Sequence, residues 1–390
     1  MLDQAKKKKF LMISFVISVL YALHFAIPLY AASTFLGKFI DTKYVGLIYS
    51  FAAVLTFLST IYIGKIIKKY HSYKTSLYIL ITSIVATSCL AFATDVYLVI
   101  FLFCVNMICS FLFLTILNFF VEEFEDARTT GETRGIFLTL LNAGILFSAL
   151  FAGQILSLYS YTTLWLVSAA CLIPVIFLIR HNYEHVKDPK FKNPNMMLAI
   201  NNIKRDKNLF AVFLSILILE CFFITMAIYA PGVLKNNLNI SIETYLSVIL
   251  PFALIPFVIF PYQLGVIADK KYGEKEMLLI GLAMLIIVNI IFPNIDSMGL
   301  FTIAVFLFIS RIGAALIESM STIYFYKKVK ADNISIIALF SSTRVIAYII
   351  MPLISSVILS LGLSISYIFY FLSILFAYSV YKAKDLLDTK

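Results

Sequence analysis

Apolar residues in this chain come in long, nearly unbroken runs instead of alternating with polar ones. A helix rises roughly 1.5 Å per residue, so about 17–25 consecutive apolar residues are what it needs to cross the hydrocarbon of a bilayer. Runs of that order fall at about 10–32, 43–63, 76–93, 96–121, 135–157, 161–180, 209–231, 244–264, 277–293, 300–326, 334–361 and 365–381. The grouping is six, a gap, and six. It predicts an all-α membrane protein with twelve transmembrane helices in two six-helix bundles, residues 1–180 and 209–390, joined by a cytoplasmic linker over 181–208. The linker carries Lys187, Lys190, Lys192, Lys204, Arg205 and Lys207 with Pro189 and Pro194. Within it, 196–203 predicts a short helix lying on the membrane surface.

Composition supports the same picture. At 62% hydrophobic and 13% charged residues, the chain has too little polar surface to coat a soluble globule. The run at 10–32 is too long for the core of a cleaved leader and has no clear small-residue cleavage site, so it reads as the first retained span. Cys89, Cys104, Cys109, Cys171 and Cys221 all fall inside apolar runs without metal-type spacing and read as small core residues.

The net charge of +10 is topological. With the N-terminus in the cytoplasm, all but five of the 31 lysines and arginines fall on cytoplasmic segments. The five are Lys38, Lys43 and Lys235 outside, and Arg311 and Arg344 inside the spans. Both termini are then cytoplasmic, in a multi-pass protein of the cell membrane. A nucleic-acid partner would require the basic residues to form one face interleaved with aromatic side chains, and they are scattered over every inner loop.

The one compact polar signature is Gly265-Val266-Ile267-Ala268-Asp269-Lys270-Lys271-Tyr272-Gly273-Glu274-Lys275, between the eighth and ninth runs. Gly265 and Gly273 would allow tight packing and a positive-φ turn, and Asp269 and Lys270 can serve the neighbouring helix ends. About 200 residues earlier, Gly64-Lys65-Ile66-Ile67-Lys68-Lys69-Tyr70-His71-Ser72 holds the corresponding place, with Lys68 for the aspartate and Ser72 for the second glycine. The stretch at 265–275 resembles the cytoplasmic signature loop of the major facilitator superfamily, with one extra residue before Gly273 and Glu274 where a basic residue is usual. The resemblance implies two parallel six-helix halves around a central pathway, alternating access and a small-molecule substrate. It also implies that the signature aspartate approaches the start of a helix in the opposite half. On that rule Asp269 meets Arg134, and its counterpart Lys68 meets Asp332.

Four ionisable residues lie deep in apolar runs of the second half: Glu220, Arg311, Glu318 and Arg344. Left alone, each would cost roughly 2.5–3.5 kcal/mol or more at mid-helix, so they should face a cavity or one another. Glu220, Arg344 and Glu318 fall about 16, 15 and 12 Å from the inner ends of their runs. Matching depth on consecutive helices pairs Glu318 with Arg344, leaving Arg311 for Glu220. These residues and His24, two thirds along the first run, are the candidate substrate or proton sites. The competing assignments are an ion network that fixes helices, and for His24 a satisfied buried imidazole. Asn106, Asn118, Asn142 and Gln154 lie within spans and read as inter-helix packing.

No phosphate-binding glycine loop, metal cluster or nucleophile elbow is present in the sequence, which leaves a pump driven by nucleotide, or a hydrolase, without support. No cofactor is expected and the chain is read as a monomeric transporter, not an enzyme. The leading function is secondary active transport of a small solute, with proton coupling open. A drug or amphiphile efflux antiporter is an alternative, although the fourth run lacks a mid-helix arginine and the fifth lacks a Gly-Pro element. A sensor or helper protein on a transporter scaffold is the alternative of another class. Exposed charge pairs contribute only about 0–1 kcal/mol, so the loop pairs should bias an equilibrium instead of locking it. Asp269→Arg and Arg134→Asp should each slow transport and the double exchange should restore it in an uptake assay; a double variant no better than the singles refutes the pair.

Overall fold

The computed structural model describes residues 4–124, 130–184, 196–270, 273–295, 299–329 and 334–389. Among them the regular structure is helical: α1 (Gln4–Leu29), α2 (Ala32–Leu36), α3 (Thr42–Leu90), α4 (Val96–Phe124), α5 (Thr130–Leu158), α6 (Tyr161–Ala170), α7 (Leu172–Asn182), α8 (Met196–Arg205), α9 (Lys207–Leu238), α10 (Ile242–Thr244), α11 (Leu250–Lys270), α12 (Glu274–Ile291), α13 (Leu300–Lys328), α14 (Ile334–Ser341), α15 (Thr343–Ser360) and α16 (Ser366–Ala383). Ten helical stretches among the described residues are long and apolar enough to cross a membrane. One of them, α3, is 49 residues long and bends at His71, where φ is 66° and ψ 152°. It therefore supplies two crossing-length pieces, one on either side of the polar stretch that begins at Gly64. The remaining expected crossing is the tyrosine-rich α16, 18 residues long.

Local chemistry explains where several helices start and bend. Asp206 accepts from the backbone N–H groups of Asn208 and Leu209, both at 3.0 Å, which caps the start of α9. Asn239 closes the same helix in the left-handed conformation, at φ 53°. A π-helical stretch, Tyr245–Ile249, precedes Pro251, which has no N–H to give to the regular ladder. The eleventh predicted run, 334–361, is interrupted at Ser342, between α14 and α15.

The chain divides into two compact units, residues 1–40 with 51–193, and residues 41–50 with 194–390. The core of the first is aromatic: Phe15, Tyr21, Phe113 and Phe120 are buried with Tyr183, whose ring lies 4.5 Å from that of Phe120. Helix α5 crosses α1 closely because Gly144 lies against Val19 and Ala22 with no room for a side chain.

The second unit is built around α9, which packs against α13, α15 and α16. Residues 41–50 belong to it. Gly46 lies against the Pro352 carbonyl and the hydroxyls of Ser356 and Tyr229, the Ser50 hydroxyl donates to the Ile349 carbonyl at 2.9 Å, and Tyr49 stacks on Tyr348. Linker helix α8 turns Ala199 and Ile203 inward and packs on α14 and α9, leaving Met197, Leu198 and Ile200 exposed beside Lys204 and Arg205. Of the five cysteines, Cys89 is exposed, while Cys104, Cys109 and Cys221 are buried as expected.

Helices α12 and α13 meet through Gly281 and Gly313, where an added Cβ on Gly281 would stand 2.7 Å from the Gly313 carbonyl oxygen. In lipid such close backbone approach replaces the hydrophobic drive that is missing between helices. Gly281→Val should therefore destabilise the protein by about 1–3 kcal/mol, read as a lowered melting temperature in detergent; an unchanged melt contradicts this packing.

Candidate functional site

The deep charges of the second unit do not pair as depth alone suggests. Arg344 Nε donates to Glu220 Oε2 at 2.8 Å, joining α15 to α9. Helix α15 packs along α9, and that contact, not the shared depth with Glu318, selects the partner. Arg311 goes elsewhere. Its guanidinium lies over the Phe222 ring, 5.3 Å from the centroid, with the Ser310 hydroxyl at 3.5 Å. Phe222 is two residues beyond Glu220 and so about 200° around α9. Arg311 and Glu220 therefore occupy opposite sides of the same helix, and the expected pair is absent.

Glu318 completes a group of three. It is near enough to Arg344 and Glu220 to experience both charges. Among the described residues it has neither an ion pair nor a hydrogen bond. Glu220 is 6% exposed, whereas Glu318 is half-buried and the Arg344 side chain is 34% exposed.

That exposure does not face the apolar outside of the helices. Exposed Leu353 comes nine residues after Arg344, and exposed Ile309 nine before Glu318. Nine residues are about two and a half turns, which puts each charge on the side of its helix opposite the exposed apolar residue. On α9 the partly exposed residues Phe213, Leu217 and Phe223 all lie within about 60° of Glu220 around the axis. The three charges thus share an accessible polar patch framed by apolar and aromatic side chains. Ser341, Ser342 and Thr343 are the sequence signal for the helix interruption two residues before Arg344, and apolar-run reasoning passes over them.

His24 is buried in a hydrogen-bonded network. It is 1% exposed, with Nδ1 3.0 Å from the Ser168 carbonyl and Nε2 3.2 Å from the Ser83 hydroxyl. Ser168 donates to the His24 carbonyl at 2.8 Å, and Thr87 donates to Asn106 Oδ1 at 2.9 Å in the same network. These bonds tie α1, α3, α4 and α6 together and leave the imidazole no open side.

The loop residues fall near the ends or bends of several helices. Gly64 and exposed Lys68 lie in α3 ahead of the bend. Gly265, Asp269 and Lys270 belong to the last turns of α11, and Arg134 to the first turns of α5. Asp332 lies outside the described residues. The expected positive-φ turn is not formed at either glycine: Gly265 is helical, and Gly273 is extended at φ −71° and ψ 177°.

Gly273 is needed for another reason. A Cβ there would run into the Asp388 carboxylate, which accepts from the Lys275 backbone N–H at 3.0 Å and caps α12. Glu274, where the resemblance leads one to expect a basic residue, is 1% exposed. It accepts from Lys327 at 3.0 Å and from the Thr389 hydroxyl at 2.6 Å. The chain's last residues are thereby fastened to the start of α12. The sequence marks Glu274 only as a departure from the signature and gives no sign of Lys327, Asp388 or Thr389, because only the fold brings these residues together.

Comparison with known proteins fits this geometry. The family profile described as Major Facilitator Superfamily matches residues 9–292 and 221–381. The chain belongs to the major facilitator superfamily. It is accordingly an integral multi-pass membrane protein with the fold of a membrane transporter. Similar solved structures include a bacterial homologue of the human lysosomal transporter Spinster, 12% identical, covering 98% of this chain and 96% of that one, with a TM-score of 0.67. The nucleoside transporter NupG is 14% identical over 96% of this chain and 97% of its own, with a TM-score of 0.72. The human organic anion transporter MFSD10 is 13% identical over 97% and 99%, with a TM-score of 0.67. No curated protein matches the chain.

Removing one member of a buried ion pair leaves the other charge uncompensated and costs up to about 3–5 kcal/mol, while replacing both with apolar groups is often near neutral. Glu220→Met and Arg344→Met should each lower the melting temperature more than the double replacement does. A double variant whose loss equals the sum of the singles contradicts the pair.

Proposed function

We propose that this major facilitator superfamily chain is a secondary active transporter that moves a small solute across the cytoplasmic membrane by alternating access. Glu220, Arg344 and Glu318 form the polar part of its solute path. The supporting observation is the bond between Arg344 and Glu220 at 2.8 Å, with the neighbouring Glu318 half-buried and unbonded among the described residues. A purely structural network would saturate all three groups, because an unmade hydrogen bond at depth has a cost. Leaving a carboxylate accessible on the side away from the exposed apolar residues suits a group that meets solute or protons.

The remaining features are consistent with this reading. The basic excess on the predicted inner segments puts both termini in the cytoplasm. One chain holding two units can act as a monomer. Arg311, covered by Phe222, stabilises the second unit and is left out of the solute path, as is His24.

Uptake of a labelled-solute panel into proteoliposomes, with and without a pH gradient, tests the proposal. At least one solute should enter well above the rate of protein-free vesicles, and Glu220→Gln and Arg344→Met should each reduce that uptake about tenfold or more, the effect of losing roughly 1.4 kcal/mol of interaction. Dependence on the gradient would assign protons as the coupling ion. Rates equal to those of protein-free vesicles across the whole panel would favour a non-transporting helper.

A further inference from the structure

The three charges also carry information about what they bind. This inference rests on the reading of Glu220, Arg344 and Glu318 as a solute site and adds a substrate class to it. Two carboxylates share the patch with one guanidinium. That guanidinium is committed to Glu220 through Nε at 2.8 Å. The only other deep cation found in the sequence, Arg311, is 2% exposed and sits under Phe222 on the far side of α9. With both carboxylates ionised, the patch carries one negative charge in excess, located on Glu318.

An anionic solute would meet that excess and would have to displace an existing ion pair to find a positive partner. A cationic solute would complete the set without breaking anything, and would recover the cost of holding an unpaired carboxylate away from bulk water. The surroundings favour an organic cation over a hydrated metal ion. Phe213 and Phe223 keep accessible surface on the Glu220 side of α9, and the Phe223 ring packs edge-on against Phe257 at 5.6 Å. Aromatic faces attract cations, and more strongly where water is excluded. No group of three or more histidine, cysteine or carboxylate side chains with metal-binding geometry occurs among the described residues.

We infer that the site takes an organic cation, a protonated amine or quaternary onium with an apolar body, whose charge is met by Glu318 while Arg344 neutralises Glu220. Glu318 is then the residue that sets charge selectivity.

Tetraphenylphosphonium and tetraphenylborate have the same shape and opposite charge, so the pair separates charge recognition from apolar partition. Binding of each to the purified full chain in lipid nanodiscs should show saturable uptake of the phosphonium and only non-saturable partition of the borate. Glu318→Gln should weaken phosphonium binding about tenfold or more, while Glu318→Asp, which keeps the charge, should stay within about threefold of the parent. Melting curves of both variants distinguish a lost site from a lost fold. Saturable borate binding, no saturable phosphonium binding, or a Glu318→Gln variant that is well folded and binds as the parent does would each overturn the inference. If any of these occurs while Glu220→Gln still abolishes panel transport, the substrate class is wrong and the transport site stands; if panel transport is also absent, the underlying reading falls with it.

Discussion

The ion pair between Arg344 and Glu220 constrains everything around it. A guanidinium and a carboxylate placed about 15 and 16 Å from the inner ends of their apolar runs are tolerable only when each satisfies the other. That requirement is met where α15 packs along α9. It fixes which side of α9 is polar, and hence which side Arg311 must avoid. Once Arg344 is committed, Glu318 is left with surface but no bond, and the proposed negative excess is the charge it carries when ionised. The chemistry proposed for the protein follows from that imbalance more than from any single residue.

Much of the architecture was legible because lipid imposes so narrow a choice on the chain. A run of apolar residues long enough to cross must be a helix, since no water is present to satisfy an open backbone. The run boundaries, the linker at 181–208 and the signature at 265–275 therefore pointed to the fold that the family comparison establishes. The deep charges were likewise visible, because Glu220, Arg311, Glu318 and Arg344 are conspicuous in apolar sequence. What depth could not supply was azimuth. Residues 220 and 222 are almost equal in depth but face opposite ways, so Arg311 lands on Phe222 instead of on the carboxylate. Partner choice depends on which helices pack together, and it is the arginine of α15, not that of α13, that reaches Glu220 on α9.

The same distinction separates His24 from Glu318. Both are ionisable side chains within spans, and on sequence alone both invite a role in binding. The imidazole is enclosed by Ser83 and Ser168, with Asn106 in the same network, and both of its ring nitrogens have partners. The carboxylate has none among the described residues. At the start of α12, Glu274 shows a third outcome: a departure from the family pattern that the fold uses to hold Lys327 and Thr389. Unusual residues in this protein are thus sorted by how fully their hydrogen-bonding capacity is used.

The central claim is that Glu318 faces water within the protein and not hydrocarbon. It is tested most directly by thiol accessibility, in a background where Cys89, Cys104, Cys109, Cys171 and Cys221 are replaced. A charged methanethiosulfonate that cannot enter lipid should modify a Glu318→Cys variant, and should leave an Ile309→Cys variant, on the exposed apolar side of the same helix, essentially unmodified. Equal resistance at both positions, or faster reaction at 309, would contradict it.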